Sequence, residues 1–488
     1  MKKYNIVIIN PDQLRWDYIS PNGHPFIETK HLIRLAEAGT NFYRAFCSCP
    51  MSGPSRASVV TGQYPSEHGV RNYAGRMHPA HPNIFEELKN AGYHRALFGK
   101  DHITINNSIG VHYDEGEDIC IGNMDQHPDY IHSWSSGTLD SGSEWNLTER
   151  LTTAGLEYIE CRSRTNQPFF ITLNYQDPHP YFTAPPPYDS LFAPEQFSLP
   201  ENFRKNPVHG ETERLTEWRK HSASLDASET DFKKAMAMYC GQVRYIDDQV
   251  GRILDKLETL GILDDTIVLF WSDHGEFLGD YGVTHKLPVF YESLVRIPMI
   301  LWDPSGQIAA GVNNHLVEAM DIFASILDIC GVTQPEGSRA YSLVSSDYVP
   351  RKDVYAEGGL LITPVENIPS DLTLKAPHAP FQFGPGSMLR TEEWKLCAYS
   401  FDQWELYNLK DDPNECDNLY GRPEYAAIAS SLMTRLIQRM MCYGQSPEHL
   451  FKTGIARIDD NGLPIWDKDC VEIMDISGMT SLMPETEK

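Results

Sequence analysis

The sequence predicts an α/β protein: a large mixed, mostly parallel sheet sandwiched by helices, with a smaller C-terminal α+β subdomain containing a short antiparallel sheet. Three observations predict it. Short, almost wholly apolar runs alternate with helical segments, and strands buried on both faces belong to parallel sheets covered by helices. Polar, chemistry-bearing residues follow several of these runs. Beyond about residue 385 the alternation gives way to a hairpin pattern and a closing helix. With 488 residues and 41% hydrophobic content the chain buries a large core and exceeds ordinary single-domain size, so a large domain over residues 1–380 and a smaller one over 381–488 are expected.

In chain order, residues 4–10 are an apolar strand ending in Pro11-Asp12-Gln13, and 29–39 read as a helix with Thr29 as N-cap, Leu32, Leu35 and Ala36 on one face, and Gly39 as stop. Residues 83–91 form a second helix, ended by Gly92. Strands follow at 95–98, 169–174, 266–272 and 297–302, with a long amphipathic helix over 231–260 before the third of them. Residues 181–225, rich in Pro, charge and aromatics and without periodicity, read as a long surface excursion able to wall a substrate, where Tyr181, Phe182 and Tyr188 either stack on a sugar or pack. A Pro-rich break spans 364–385. Residues 387–391 and 395–399 flank Glu392-Glu393-Trp394 as a hairpin, 404–409 add a strand, and a helix over 424–441 closes the smaller unit.

Charge excludes some partners. Lys and Arg total 41 against 67 Asp and Glu, a net charge of −26, which argues against a nucleic-acid or anionic-membrane surface. An anionic substrate would need a local cluster of cations. No apolar run approaches the roughly 20 residues that span a bilayer. Lys2-Lys3 runs straight into a strand without a small-residue cleavage site, so the expected location is the cytoplasm, with the periplasm as the alternative if a leader was removed. The ten cysteines show no metal-finger or Cys-x-x-Cys spacing, and reduced, scattered thiols are expected.

The most informative run is Ser52-Gly53-Pro54-Ser55-Arg56, followed by Ala57-Ser58-Val59-Val60-Thr61-Gly62. It places a hydroxyl at a helix N-terminus, where unpaired N–H groups and the macrodipole favour an anion, with a cation four residues on. Four further pieces lie at strand ends: Asp12-Gln13, Lys100-Asp101-His102, Asp177-Pro178-His179 and Asp273-His274-Gly275. The carboxyl ends of parallel strands form one rim, so these separated residues can converge on one crevice. Alone, an Asp-His-Gly after a strand is more often a turn than a ligand. Asp101 reads as a turn residue or a support for the site, and His24, His31, His78 and His81 read as structural or surface residues.

The Ser52 run resembles the maturation motif of the sulfatase family, within the alkaline-phosphatase-like superfamily: Cys or Ser, then x-Pro-x-Arg and, after a spacer, Thr-Gly. Phe98-Gly99-Lys100-Asp101-His102 is similar to that family's Gly-Lys-x-His element, Asp177-Pro178-His179 to its Pro-His segment, and Asp273-His274-Gly275-Glu276 to its second metal segment. Gly282 to Lys286 with Tyr291-Glu292 is similar to its lysine segment, and Trp404-Glu405-Leu406-Tyr407-Asn408-Leu409 to its C-terminal subdomain.

The resemblance implies a hydrolase of small or carbohydrate sulfate esters in which Ser52 is oxidised to formylglycine (3-oxoalanine). Asp12, Gln13, Asp273 and His274 would hold one divalent cation, with calcium first and manganese, magnesium or zinc as alternatives because Gln13 and His274 replace ligands that are more acidic or lack imidazole in many relatives. Lys100, Lys286 and His179 would hold the sulfate oxygens, His179 protonating the departing alcohol. Arg56 and His102 would contact residue 52, His102 removing the proton whose loss releases sulfate, and Asn72 would add a hydrogen bond to the anion. A radical S-adenosylmethionine enzyme is the implied maturation partner, in a bacterial host able to live without oxygen. Two alternatives stay open: a phosphonate monoester or phosphodiester hydrolase of the same superfamily, where the Asp-Gln with Asp-His combination also occurs, and a catalytically silent binding protein with unmodified Ser52.

Overall fold

The computed structural model describes residues 2–72, 75–78, 81–104, 108–119, 134–139, 146–204, 206, 208, 210–358, 385–400, 402–442, 457–458 and 464–465. The Pro-rich break, but for Pro385, and the boundary at 380 lie outside them.

The large sheet is built from β1 (Asn5–Pro11), β2 (Thr40–Phe42), β3 (His94–Gly99), β4 (Glu115–Asp118), β5 (Phe169–Tyr175), β6 (Thr266–Trp271), β7 (Met299–Trp302) and β8 (Gly311–Asn313). Its order is β8-β2-β7-β6-β1-β5-β3-β4. From β6 across β1, β5 and β3 to β4 every pairing is parallel, whereas β7 runs antiparallel to both β6 and β2. The expected mostly parallel sheet is thus present, and β1 lies at its centre. Alternate β1 side chains pack on opposite faces: Ile6 and Ile8 join one core, Val7 and Ile9 the other. This is why the run is apolar at every position.

Helices cover both faces. One carries α1 (Lys30–Ala38), α4 (Leu147–Ser163) and α6 (Glu229–Thr259); the other carries α2 (Ser52–Thr61), α3 (Ile84–Asn90) and α7 (Ala319–Ile329). A further helix, α5 (Glu213–His221), arises inside the excursion that showed no periodicity. Within that excursion Tyr181 and Phe182 are buried, so they pack. Asn83 caps α3, accepting from Phe85 N and Glu86 N at 3.0 and 3.2 Å. Thr29, by contrast, does not cap α1 with its side chain. Its hydroxyl accepts from Ser20 N at 2.9 Å, and the free N–H groups of His31 and Leu32 are satisfied by Asp247 of α6 at 3.1 and 2.8 Å. A carboxylate from a distant helix does what the local threonine was expected to do.

The expected antiparallel sheet has four strands, β9 (Val354–Gly358), β10 (Gly386–Arg390), β11 (Trp394–Tyr399) and β12 (Glu405–Asn408), in sequence order, and α8 (Ala426–Cys442) packs on it. β9 comes from before the Pro-rich break, a strand the sequence did not signal. Cys47, Cys49, Cys161, Cys240, Cys330, Cys397 and Cys416 are free thiols. Among the described residues no helix is long and apolar enough to cross a membrane.

Candidate active site

The parallel register brings the ends of β1, β3, β5 and β6 to one rim, where Asp12, Lys100, His179 and Asp273 follow their strands. Ser52 is the first residue of α2, whose ten residues are all buried, so the helix N-terminus points its hydroxyl into this rim. Ser55 Oγ donates to the Asp273 carbonyl at 2.6 Å, tying α2 to the end of β6.

Ser52 Oγ lies 3.3 and 3.4 Å from the Asp12 carboxylate oxygens and 3.0 Å from His274 Nε2. His274 Nδ1 faces the Gly275 carbonyl at 2.9 Å. A carbonyl only accepts, so the imidazole proton sits on Nδ1 and the Nε2 lone pair turns toward Ser52. Burial, assisted by Lys286, lowers the His274 pKa to about 4, which keeps the ring neutral. Asp12, Asp273 and His274 each offer one atom of a buried set whose members lie within 4.8 Å of one another. Two carboxylates and a neutral imidazole with its lone pair exposed to them form a donor set that fits one divalent cation.

Cations balance these acids. Lys100 Nζ donates to Asp12 at 2.6 Å, Arg56 Nε donates to Asp273 at 2.8 Å, and Arg56 Nη2 reaches Asp12 at 3.4 Å. Burial alone would push the Asp12 carboxyl up, but Lys100, with Arg56 and Lys286, outweighs it and holds the group well below the usual range. Arg56 Nη1 also donates to the Lys100 carbonyl at 2.9 Å, so one guanidinium joins the ends of β1, β3 and β6.

Gln13 sits beside this set with its amide committed: Oε1 accepts from Lys286 Nζ at 2.5 Å and Nε2 donates to Glu276. Lys286 Nζ also meets His179 Nε2 at 2.9 Å, while His179 Nδ1 faces the Pro180 carbonyl at 2.5 Å. His179 therefore carries its proton on Nδ1 and accepts from the ammonium, and burial followed by Lys286 drives its pKa well below the ordinary value. Burial also lowers Lys286, to about 8.

His102 and Asn72 approach Gly53, the neighbour of residue 52, through their backbone. The His102 and Asn72 carbonyls lie 3.3 and 3.7 Å from where a Gly53 Cβ would stand. His102 Nδ1 is buried with no hydrogen-bond partner among the described residues, and burial, then Lys100 and Arg76, holds the ring neutral. Asn72 Oδ1 accepts from Gly75 N at 2.7 Å, closing a turn. Asp101 is a turn residue, accepting from Thr104 N at 2.9 Å. Gln13, His102 and His285 all adopt left-handed backbone, at φ 66°, 63° and 75°. For non-glycine residues this costs on the order of 1–3 kcal/mol each, and such strain concentrates at functional sites.

Nine of the eleven residues singled out in the sequence are thus joined by hydrogen bonds at this rim, and His102 and Asn72 approach it through their carbonyls beside Gly53. Two supporting residues were given no role by the sequence. Tyr239, in the middle of α6, donates to the Gln13 carbonyl at 2.7 Å and accepts from Arg15 N at 2.8 Å, pinning the strained end of β1. Glu276 stood inside a matched segment without a role. It accepts from Gln13, Leu278 N and the His285 N–H, and burial raises its pKa to about 7.

Comparison with known proteins agrees with this geometry. The family model described as Sulfatase matches residues 4–332, and one described as N-sulphoglucosamine sulphohydrolase, C-terminal, matches 382–441. An arylsulfatase from Clostridium perfringens is 28% identical over 478 residues, covering 90% of this chain and 94% of that protein. The structure of BT4656 in complex with its substrate D-glucosamine-2-N,6-O-disulfate has the same fold, with a TM-score of 0.74, 23% identity, and coverage of 92% of this chain and 99% of that one. So does a phosphonate monoester hydrolase from Silicibacter pomeroyi, with a TM-score of 0.74, 24% identity, and coverage of 94% and 98%. With the family model matched over most of the chain and the Ser52 run, acid cluster and lysines at one rim, the chain belongs to the sulfatase family, the hydrolases of sulfuric esters.

Proposed function

We propose that this enzyme hydrolyses a sulfate ester of a small or carbohydrate alcohol, using formylglycine made from Ser52 and one divalent cation. The observation that carries the reading is the convergence of Ser52 Oγ, at a helix N-terminus, with the Asp12-Asp273-His274 set and with the lysines at 100 and 286. Carbohydrate sulfate as the substrate class draws support from the disulfated glucosamine of the BT4656 structure and from an N-acetylglucosamine-6-O-sulfatase of Bacteroides thetaiotaomicron, 24% identical over 512 residues.

The oxidised residue supplies a hydrated aldehyde that attacks sulfur and can release it again, and the cation supplies Lewis-acid polarisation. Asp12, Asp273 and His274 hold the cation, and Gln13 joins them if Lys286 turns from its amide to the substrate. Lys100 and Lys286 bind sulfate oxygens and offset charge that develops in the transition state. His179 and Lys286, already hydrogen-bonded, form the unit that protonates the departing alcohol. His102, neutral and with Nδ1 unengaged, takes the proton from residue 52 when sulfate leaves. Asn72 supplies a further hydrogen bond to the anion. The catalytic unit over 1–380 and the smaller unit over 381–488 draw support from the matched ranges 4–332 and 382–441.

Turnover of nitrophenyl sulfate against the phosphate and phosphonate analogues tests the reaction. Sulfate preference is expected; a phosphonate preference sinks the reading in favour of the phosphonate hydrolase. Intact mass of the peptide containing Ser52 tests the modification. Protein made with a radical S-adenosylmethionine maturation enzyme in the cytoplasm is expected to lack two hydrogens there; no conversion in the native host favours the silent binder. Chelation tests the cation. A ligand at about one hundred times its Kd stabilises by about 2.7 kcal/mol, so stripping it is expected to lower the unfolding midpoint, and adding back calcium, manganese, magnesium or zinc singly identifies the ion. An unchanged midpoint counts against a metal here.

A further inference from the structure

Helix α5 lies against the segment that delivers Lys286. Trp218 Nε1 donates to the Thr284 carbonyl at 3.0 Å, Arg219 Nε and Nη2 donate to the Tyr281 carbonyl at 3.1 and 3.0 Å, and Arg214 Nη1 donates to the Pro288 carbonyl at 3.3 Å. These bonds fall where the backbone is least willing to stay: Leu278, Tyr281 and His285 are left-handed, at φ 46°, 56° and 75°. Left-handed non-glycine residues persist only where their surroundings over-determine them. The Tyr281 carbonyl belongs to one of them, and the Thr284 carbonyl lies in the peptide that enters another.

The helix is itself anchored at both ends. Asp402, in the turn between β11 and β12 of the small sheet, accepts from Glu213 N and Arg214 N at 2.8 and 3.0 Å and from Arg214 Nε at 3.2 Å. Arg219 is held by Glu211 through bonds of 2.7 and 3.0 Å, both side chains being 1% exposed. Rings carry the contact inward: the His285 ring centroid lies 6.1 Å from Trp218 and 5.0 Å from His179.

We propose that α5 is the positioning element of the active-site lysine: fixed by Asp402 of the small sheet, it uses Trp218 and Arg219 to set the segment that holds Lys286 against His179 and Gln13. It touches no substrate, and acts through Lys286 alone. This rests on the reading that Lys286 binds the transferred anion. It also gives the small C-terminal sheet a task in catalysis, since the cap on α5 comes from that sheet.

A double-mutant cycle tests it. Trp218→Phe keeps an aromatic ring, smaller than the indole, and removes the N–H, and is expected to lower kcat/KM by between about tenfold and about one-hundredfold, the scale of an ångström-level misplacement. In a Lys286→Ala background the same change is expected to cost less than about twofold, because residues acting through one another are not additive. Arg219→Lys and Asp402→Ala are run in parallel as independent variants, each with its thermal midpoint, so that a poorly folded variant is replaced by the others. Weakened binding of inorganic sulfate by Trp218→Phe, absent in the Lys286→Ala background, is the second readout. Additive losses in both readouts overturn the proposal and leave α5 a mere cover. The cycle is measured on whichever ester the wild-type enzyme turns over, so a phosphonate preference of the wild type refutes the sulfate reading without touching the coupling.

Discussion

Ser52→Ala is expected to lower kcat by roughly a million-fold, the scale on which a hydrolase loses turnover when its nucleophile is deleted. The fold should hardly notice. Ser52 Oγ makes three contacts of 3.0 to 3.4 Å, to His274 and Asp12, and both partners keep other hydrogen bonds. The loss of one ordinary hydrogen bond costs about 1 kcal/mol, so the unfolding midpoint should stay near that of the parent. Protein with intact but unoxidised Ser52 should resemble the Ala variant, because a serine hydroxyl beside Asp12 and His274 has no second oxygen with which to release a sulfated intermediate. Steady-state turnover of nitrophenyl sulfate, with intact mass measured on the same preparation, checks both. Full activity in a preparation that retains plain serine would refute the role of oxidation.

Arg56→Ala is expected to be strongly destabilising. The guanidinium is 4% exposed and the Asp12 and Asp273 side chains it serves are fully buried. Breaking such a pair strands a charge, at a cost of about 3–5 kcal/mol. Asp12 would keep Lys100, but Asp273 would lose the cation hydrogen-bonded to it. The cost should depend on the ion: a divalent cation held by Asp12 and Asp273 would supply the missing positive charge. Chemical unfolding in chelator should therefore show the full loss, and unfolding with saturating calcium a smaller one. Equal losses in both conditions would argue that no cation binds at Asp12 and Asp273. Arg56→Lys should recover only part of the loss, since an ammonium cannot span Asp273 and the Lys100 carbonyl as the guanidinium fork does.

What could be read in advance follows from what a pattern reports. β1, β5 and β6 are apolar at nearly every position because both of their faces are covered, and the same burial made them legible. The short strands β2, β4 and β8, at and next to the sheet edges, were not, since so short a run carries no period; β2 and β8 have three residues each. α7, Ala319–Ile329, escaped because a helix buried on almost every side loses its polar face and with it the 3.6-residue signal. α5 escaped because Trp218, Arg214 and Arg219 are buried for the hydrogen bonds they make, and no hydropathy pattern marks such residues as interior.

The candidate site divides in the same way. The sequence by itself determined the α/β class, the nucleophile run at a helix start, and the identity of each polar residue that follows a strand, because strand burial and helix capping are local in origin. The tertiary structure alone decided that Arg56 joins three strand ends, that His274 presents Nε2 and not Nδ1, that Gln13 is shared between Lys286 and Glu276, and that a helix inside an apparently irregular excursion holds the lysine segment. The physical reason is that a sequence pattern records how deeply a side chain is buried. It does not record which group from a distant part of the chain meets that side chain there, and ligand geometry, tautomers and charge balance all depend on that partner.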